Sequence, residues 1–480
     1  MRVASRLVLA CCGTVVLLFV LGGCGESSRS QYTTHDILSR YDREGVERRD
    51  AEHGVEPAVE APGVSQGAGP LNYRQCIDFA LRNSPEITSG SVKLQLEDLS
   101  VEDAYTKMFP ELKVNMTVSK IIYSEDSDDS SAEDTSMRLS FSSGTYDPFG
   151  AFISYEAAKV LRRVAVVRHM SAVDDLLLLI GGKYLEMEAM QGRIQLMEET
   201  DGVLSKVEDY YAALPASKAS KPIELLEAQG RRKSTRLALE RERVALKNTQ
   251  VTVKMLVGAD LTRSMDFDCA GTAGALLGSF RPDAVTLEEV KVASRELYIS
   301  RLAKETSKYK IALARSEYIP TFSLGLQTPD PVASGSSVQR DYYGTLSMES
   351  PLLDWGRRER GVERGGIQAA ASVHDLMVAT KKVEAEYYKV RHDLELVRAT
   401  DEYEASVVEL NDLKHKKNTI LFESGVISLP KLLMSEVDII NSRMAVIDAA
   451  LERDLTLLSF KSVSGELFDS LVGEVTNDIR

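Results

Sequence analysis

Residues 151–213 and 357–422 are two stretches of about sixty residues without a single proline. At 1.5 Å per residue, a helix of that length is on the order of 90 Å long. No ordinary globular core needs such an element, so it must run along something extended. Each stretch is followed by a return helix. The second, 428–463, carries a clean heptad of Leu433, Val437, Ile440, Met444, Ile447, Leu451 and Leu458, interrupted at Asp454. Spacings of four and three make a coiled-coil seam. The first return helix keeps one apolar row, Leu237, Val244 and Val251. Its other row reads Lys233, Glu240, Lys247 and predicts a solvated or lumen-facing side.

The pairing of long helix and return helix occurs twice because the chain is internally duplicated. Pro110 and Pro320 lie 210 residues apart, and Gly150 and Gly356 lie 206 apart. Leu225-Leu226 and Leu432-Leu433 are separated by 207, as are Gly258 and Gly465. The repeats span 71–265 and 285–470, joined by a Gly-rich link at 266–284. Each opens with a helical region, 72–108 and 286–318. A strand begins at the proline. Leu112, Val114, Met116 and Val118 alternate with polar residues, as do Phe322, Leu324 and Leu326. Met137, Leu139 and Phe141 give the first repeat a second strand, and Leu346 and Met348 give one to the second. Strict alternation means one apolar and one polar face. Four strands per chain are too few to close a membrane barrel, for which eight is the minimum. An open edge in lipid would strand backbone N–H and C=O groups. The strands are therefore water-exposed hairpins or one share of a barrel built by several chains.

The N-terminus reads as a targeting segment. Arg2 and Arg6 precede an apolar run from Leu7 to Gly23, ending in Leu21-Gly22-Gly23-Cys24. That order resembles a lipoprotein signal, removed as 1–23 to leave acylated Cys24. An uncleaved anchor is the alternative, since the run is near the lower limit for a span. Residues 24–70 are Pro- and Gly-containing and read as a tethered arm. Gly63 to Gly67 formally matches a hydrolase nucleophile elbow, but it lacks the flanking strand and helix that motif needs. Residues 471–480 form a C-terminal tail. The net charge of −14 argues against a nucleic-acid partner. The basic run Arg231, Arg232, Lys233, Arg236 reads as a solvated helix face, and the acidic stretch Ser124–Asp134 as a surface loop. Histidines are scattered, and there is no phosphate-binding loop, so neither enzyme chemistry nor a cofactor is expected. With Cys11, Cys12 and Cys24 accounted for, Cys76 and Cys269 remain as two thiols that an oxidising compartment would permit to bridge.

The residues 76–87, Met108–Leu112, Tyr318–Leu326, Pro351–Gly361 and Phe422–Val437, in this order and duplicated, resemble the outer-membrane efflux protein family, the TolC/OprM-like channels. The resemblance covers about residues 70–470. It implies a mainly α fold with a small β part: a homotrimer in which four strands per protomer complete a 12-stranded barrel, continued by a long-helix tunnel. It implies a passive exit duct of a tripartite efflux or type I secretion system. That duct would sit in the outer membrane, extend into the periplasm, and work with a periplasmic adaptor and an inner-membrane pump. A lipid-anchored, periplasm-spanning coiled-coil spacer is the competing reading; it would not need amphipathic strands.

Within that frame, Pro351, Asp354, Trp355 and Gly356 form the elbow where barrel becomes tunnel. Proline ends the ladder, Asp354 is the expected N-cap, and Gly356 permits the bend. Trp355 suits either the membrane interface or a subunit joint, and Arg357, Arg358 and Arg360 either head groups or solvent. Ser424, Gly425 and Val426 form the expected adaptor-docking tip; the first repeat reads differently there, Leu214 to Pro222. In the family an aspartate follows the second Leu-Leu pair and rings the tunnel's narrow end. Here Met434 follows, with Lys431 nearby. The first repeat keeps Glu227 in that register, and Asp438 lies one turn beyond Met434. The expected constriction is thus an acidic ring at Glu227 or Asp438, or an apolar one at Met434.

Overall fold

The computed structural model describes residues 70–120, 135–214, 221–262, 265–278, 280–327, 342–468 and 470. The signal, the arm, the acidic loop, the centre of the first tip and the tail lie outside them.

The first repeat contains α1 (Tyr73–Asn83), α2 (Pro85–Thr106), β1 (Lys113–Lys120), β2 (Thr135–Ser142), α3 (Pro148–Ala213) and α4 (Lys221–Val257). A short α5 (Thr272–Leu277) sits in the link. The second contains α6 (Leu287–Ala293), α7 (Arg295–Ser316), β3 (Thr321–Gln327), β4 (Tyr343–Glu349), α8 (Arg357–Glu423) and α9 (Leu429–Val463). The two long helices have 66 and 67 residues.

The opening region of each repeat is not one helix, as its pattern suggests, but two. Ser84 and Ser294 adopt extended backbone and divide them. At the first break Pro85 supplies the reason: it disfavours helical geometry in the residue before it and starts the next helix well. At the second, the Ser294 hydroxyl accepts from the Leu297 N–H (3.3 Å). Both first helices carry a reciprocal capping box, Asn72 with Gln75 and Thr286 with Glu289. Just ahead of each, a buried tyrosine of a long helix donates to a backbone carbonyl: Tyr184 to Leu71 and Tyr387 to Val285. The duplication is thus carried in hydrogen bonds as well as in landmarks.

The helices form a single layer of four columns. α3 packs against α2 and α4 on one side and against α7 and α9 on the other; α8 packs on α7 and α9. The columns therefore run α2 with α4, then α3, then α7 with α9, then α8. Glycines make the end-to-end joints within columns. Gly258 (φ +73°) sits where a Cβ would fall 2.2 Å from the Asn83 carbonyl oxygen; Gly465 (φ +79°) faces Ala293. The main core surrounds the middle of α3, where Ile77, Leu177, Ile180, Tyr184, Leu276 and Leu458 are buried. Each such side chain removed from water contributes about 1.5–3 kcal/mol. Cys76 and Cys269 are both buried in this core as free thiols. Burial pushes the Cys76 thiol up to about 11 and Cys269 to about 12.

Ion pairs tie the columns together. Arg193 of α3 donates to Glu242 of α4 (2.7 Å) and Asp448 of α9 (2.6 Å), clamping three helices. Two arginines expected to be solvated do similar work. Arg232 reaches Asp201 and Glu208, and Arg236 reaches Asp201, all on α3. The apolar row Leu237, Val244, Val251 is exposed, although its spacing suggests a seam. The reason is positional: α4 has a neighbour along its length on only one side.

Candidate functional site

The four strands form one antiparallel sheet in the order β1-β2-β3-β4. The register places the alternating residues in phase. Val114 pairs with Phe141, and Met116 with Leu139. Phe141 pairs with Leu326 across the repeat boundary. Phe322 pairs with Met348, and Leu324 with Leu346. One face is therefore apolar across all four strands. The other carries Asn115 opposite Ser140, Thr117 opposite Arg138, and Ser323 opposite Ser347. A one-residue slip would have inverted any strand. The apolar face is uncovered: Leu346 is 72% exposed and Met348 67%. Among the described residues β1 and β4 each pair on one side only, so the sheet has two open edges. Those edges continue into the helical layer. β1 follows α2, and β4 leads into α8, the two outer columns.

The elbow below the sheet is built twice. Asp147 accepts from the Gly150 N–H (2.9 Å) at the start of α3. Asp354 accepts from the N–H groups of Gly356 (3.1 Å) and Arg358 (3.2 Å) and from the Arg358 guanidinium (2.6 Å). The Arg358 hydrogen bond holds the Asp354 carboxyl below the usual carboxylate range. Asp354 does not occupy the N-cap position expected for it. Gly356, at φ +75°, occupies it, and Asp354 caps from two residues earlier. Trp355 is 82% exposed and has φ +54°. A bulky residue rarely adopts that conformation, which costs of order 1–3 kcal/mol. Two of the three arginines turn back on the elbow. Arg358 donates to the Pro351 carbonyl (2.7 Å) and lies over the Tyr318 ring, and Arg360 donates to the Trp355 carbonyl (3.0 Å). Pro351 follows the strand end at Glu349 by two residues.

At the far end, α8 closes in a Schellman turn. Gly425 (φ +75°) donates to the Phe422 carbonyl (2.9 Å) and Val426 to that of Leu421 (2.8 Å), with Ser424 as C-cap. Val426 is exposed beyond it.

The structure separates the four constriction candidates. Leu433, Val437 and Ile440 bury with Val203, Leu204, Val207 and Ala228 where α3, α4 and α9 meet. Met434 lies half-buried at the edge of this cluster, its sulfur accepting from Arg231 of α4 (3.6 Å). Glu227 and Lys431 are exposed. Asp438 is exposed too, and its carbonyl accepts from Asn411 of α8. Met434 and Asp438 thus differ in setting despite sharing a helical row. Glu227 is on an outer column and Asp438 on an inner one.

Two features were missed by pattern. One is the Arg193 clamp, whose partners lie 49 and 255 residues away. The other is His169, buried on α3 against Gly90, with neither ring nitrogen hydrogen-bonded. Its burial lowers its pKa. Nothing in the local sequence marks either. Among the described residues no group of side chains is arranged to hold a metal, and no helix is long and apolar enough to cross a membrane.

No family model matches the chain, and no curated protein matches it. Solved structures do. CusC, described in forming a transmembrane channel, superposes with a TM-score of 0.70 at 16% identity, over 87% of this chain and 99% of that one. The MtrE outer membrane channel of Neisseria gonorrhoeae, in its open state, gives 0.69 at 13%, over 82% and 89%. The CmeC outer membrane channel of Campylobacter jejuni gives 0.68 at 11%, over 89% and 97%. The chain has the fold of these channels: mainly helical, duplicated, with a small antiparallel sheet.

Proposed function

We propose that three copies of this chain close into one passive exit duct through the outer membrane and into the periplasm. One observation carries the reading. The open edges of the sheet and those of the helical layer fall on the same two sides of the protomer. A head-to-tail repeat therefore pairs β4 with a neighbour's β1 and covers α2, α4 and α8 in the same step. Such a head-to-tail interface makes a ring when its rotation closes. Three copies of four strands give twelve. The uncovered apolar face then meets lipid, and the polar face a water-filled bore. A spacer would have no use for that face.

The remaining assignments follow from this placement. Cys24 anchors the N-terminus through acyl chains. The Ser424–Val426 turn meets a periplasmic adaptor, and an inner-membrane pump supplies the energy, for efflux or type I secretion. Glu227, Lys431, Met434 and Asp438 lie towards the same end, and its narrow part is an acidic ring at Glu227 or Asp438 or an apolar one at Met434. Pro351, Asp354, Trp355 and Gly356 set the angle between barrel and tunnel.

The test uses the full chain with Asn115→Cys and Ser347→Cys, which sit on β1 and β4. Oxidation should give a ladder ending at three chains, and the purified protein should conduct in a planar bilayer. A non-conducting monomer overturns the proposal. In the conducting protein, Asp438→Asn beside Glu227→Gln identifies the constriction. Loss of cation selectivity in one names that carboxylate; no change in either assigns the constriction to Met434.

A further inference from the structure

An open groove lies between the start of α3 and the end of α7, immediately below the sheet. Phe149, Ile153, Ile311, Ala312 and Ile319 form its apolar floor, and Lys308 and Arg315 stand on it. Its upper end is Ile319, two residues before β3 begins. The two cations are seven residues apart, two turns of one helix face, or about 10 Å along the axis. Neither makes an ion pair with a described residue, in a chain that carries 72 carboxylates against 58 Lys and Arg. Two of the nearby carboxylates are engaged elsewhere. Glu305 pairs with Arg163 (3.4 Å), and Asp147 caps Gly150. Phe149 and Phe152, at the same level, are exposed.

We propose that this groove holds one anionic phospholipid of the surrounding leaflet. The inference rests on the membrane placement given above. There, the groove begins where the wall leaves the hydrocarbon. The upper acyl carbons lie along Phe149, Ile153 and Ile319. The phosphate meets Arg315, and the polar headgroup reaches towards Lys308. An apolar slot with two uncompensated cations suits a molecule that is apolar at one end and negative at the other. A zwitterionic headgroup would bring its own cation beside Lys308. Arginine favours phosphate through its planar fork, and each cation near an anionic leaflet adds attraction.

The experiment reconstitutes the full-length protein in equimolar phosphatidylglycerol and phosphatidylcholine, then counts retained lipid by native mass spectrometry. Conductance is measured on the same sample. Wild type should retain phosphatidylglycerol over phosphatidylcholine by about tenfold or more. Lys308→Gln/Arg315→Gln should lose that preference while still conducting. Lys93→Gln/Lys310→Gln, an equal change of charge on exposed helix positions, should keep it. Ala312→Phe, which fills the slot, should lower retention of both lipids. Unchanged preference in the Lys308/Arg315 variant, or equal loss in the control, overturns the proposal. Displacement by inorganic phosphate also overturns it, by showing a site for free anions. Conductance without lipid retention sinks the groove alone; absence of conductance sinks the duct and the groove together.

Discussion

The return helices α4 and α9 occupy equivalent places in the two repeats but have different surroundings. α9 lies between α3 and α8, whereas α4 has α3 on one side and no helix along the other. The apolar rows follow that difference. Leu433, Val437 and Ile440 are buried within the protomer; Leu237, Val244 and Val251 remain exposed. α4 is held instead by Arg193–Glu242, Arg232–Asp201 and Arg243–Glu198. A half-apolar, half-charged helix is what an edge column needs. It is anchored to its own chain through polar ties and leaves an apolar stripe exposed. The same heptad spacing thus signals an internal seam in one repeat and an exposed apolar row in the other.

The widest gap between the two should come from a carboxylate placed in each row. Val437→Asp buries a charge without a partner and should cost about 3 kcal/mol or more in the protomer. Protease resistance and helicity should fall together. Val244→Asp, on an exposed position, should change protomer stability by no more than about 0.5 kcal/mol. It should lower only the amount of oligomer, measured by native mass spectrometry. If Val244→Asp unfolds the protomer as Val437→Asp does, α4 is not an edge helix.

Much of this architecture is legible in the sequence. The proline-free stretches became α3 and α8 within a few residues, and strand alternation gave the correct face at all four strands. These signals are local and periodic. The break at Ser294 was not visible, because no proline follows it and the helical pattern continues through it. The elbow was only partly legible. Asp354 and Gly356 announced a helix start, yet which of them occupies the N-cap depends on the positive φ of Trp355. Arg358 and Arg360 looked free because their acceptors, the carbonyls of Pro351 and Trp355, are backbone groups that every sequence possesses. The settings of the constriction candidates were the least legible. Spacing puts Met434 and Asp438 on one row, but only packing shows that one is half-buried against Arg231 and the other exposed.

The column joints offer a second, smaller contrast. At Gly258 an added Cβ meets the backbone carbonyl of Asn83 at 2.2 Å; at Gly465 it meets the Ala293 side chain at 3.0 Å. Both need a positive φ, so alanine at either costs ~1–2 kcal/mol. Gly258→Ala must also displace a main chain, raising the loss to ~2–4 kcal/mol. Thermal denaturation should rank Gly258→Ala below Gly465→Ala. Ala293→Gly should restore part of the loss at Gly465, whereas no side-chain change at Asn83 can help Gly258. Equal losses would mean that the two joints are interchangeable.

The smallest effect belongs to the elbows. Asp147 caps α3 through the Gly150 N–H, whereas Asp354 serves two backbone N–H groups and a guanidinium. The Arg358 hydrogen bond depresses the Asp354 pKa from its ordinary 3.8. A depressed folded-state pKa contributes stability that is complete above the unfolded value and disappears as pH falls through the folded one. The contribution is therefore full at neutral pH and lost below about pH 4. Asp354→Asn keeps the acceptor oxygen but removes the charge. It should lower thermal stability slightly at pH 7 and reduce the steepness of the acid limb, by a margin that shrinks in high salt. Arg358→Gln should do the same through the other partner. Combining the two should cost less than the sum, because each alone already breaks the pair. If the acid limb of Asp354→Asn matches that of wild type, the Asp354 charge does not hold the second elbow, and the two elbows are capped alike.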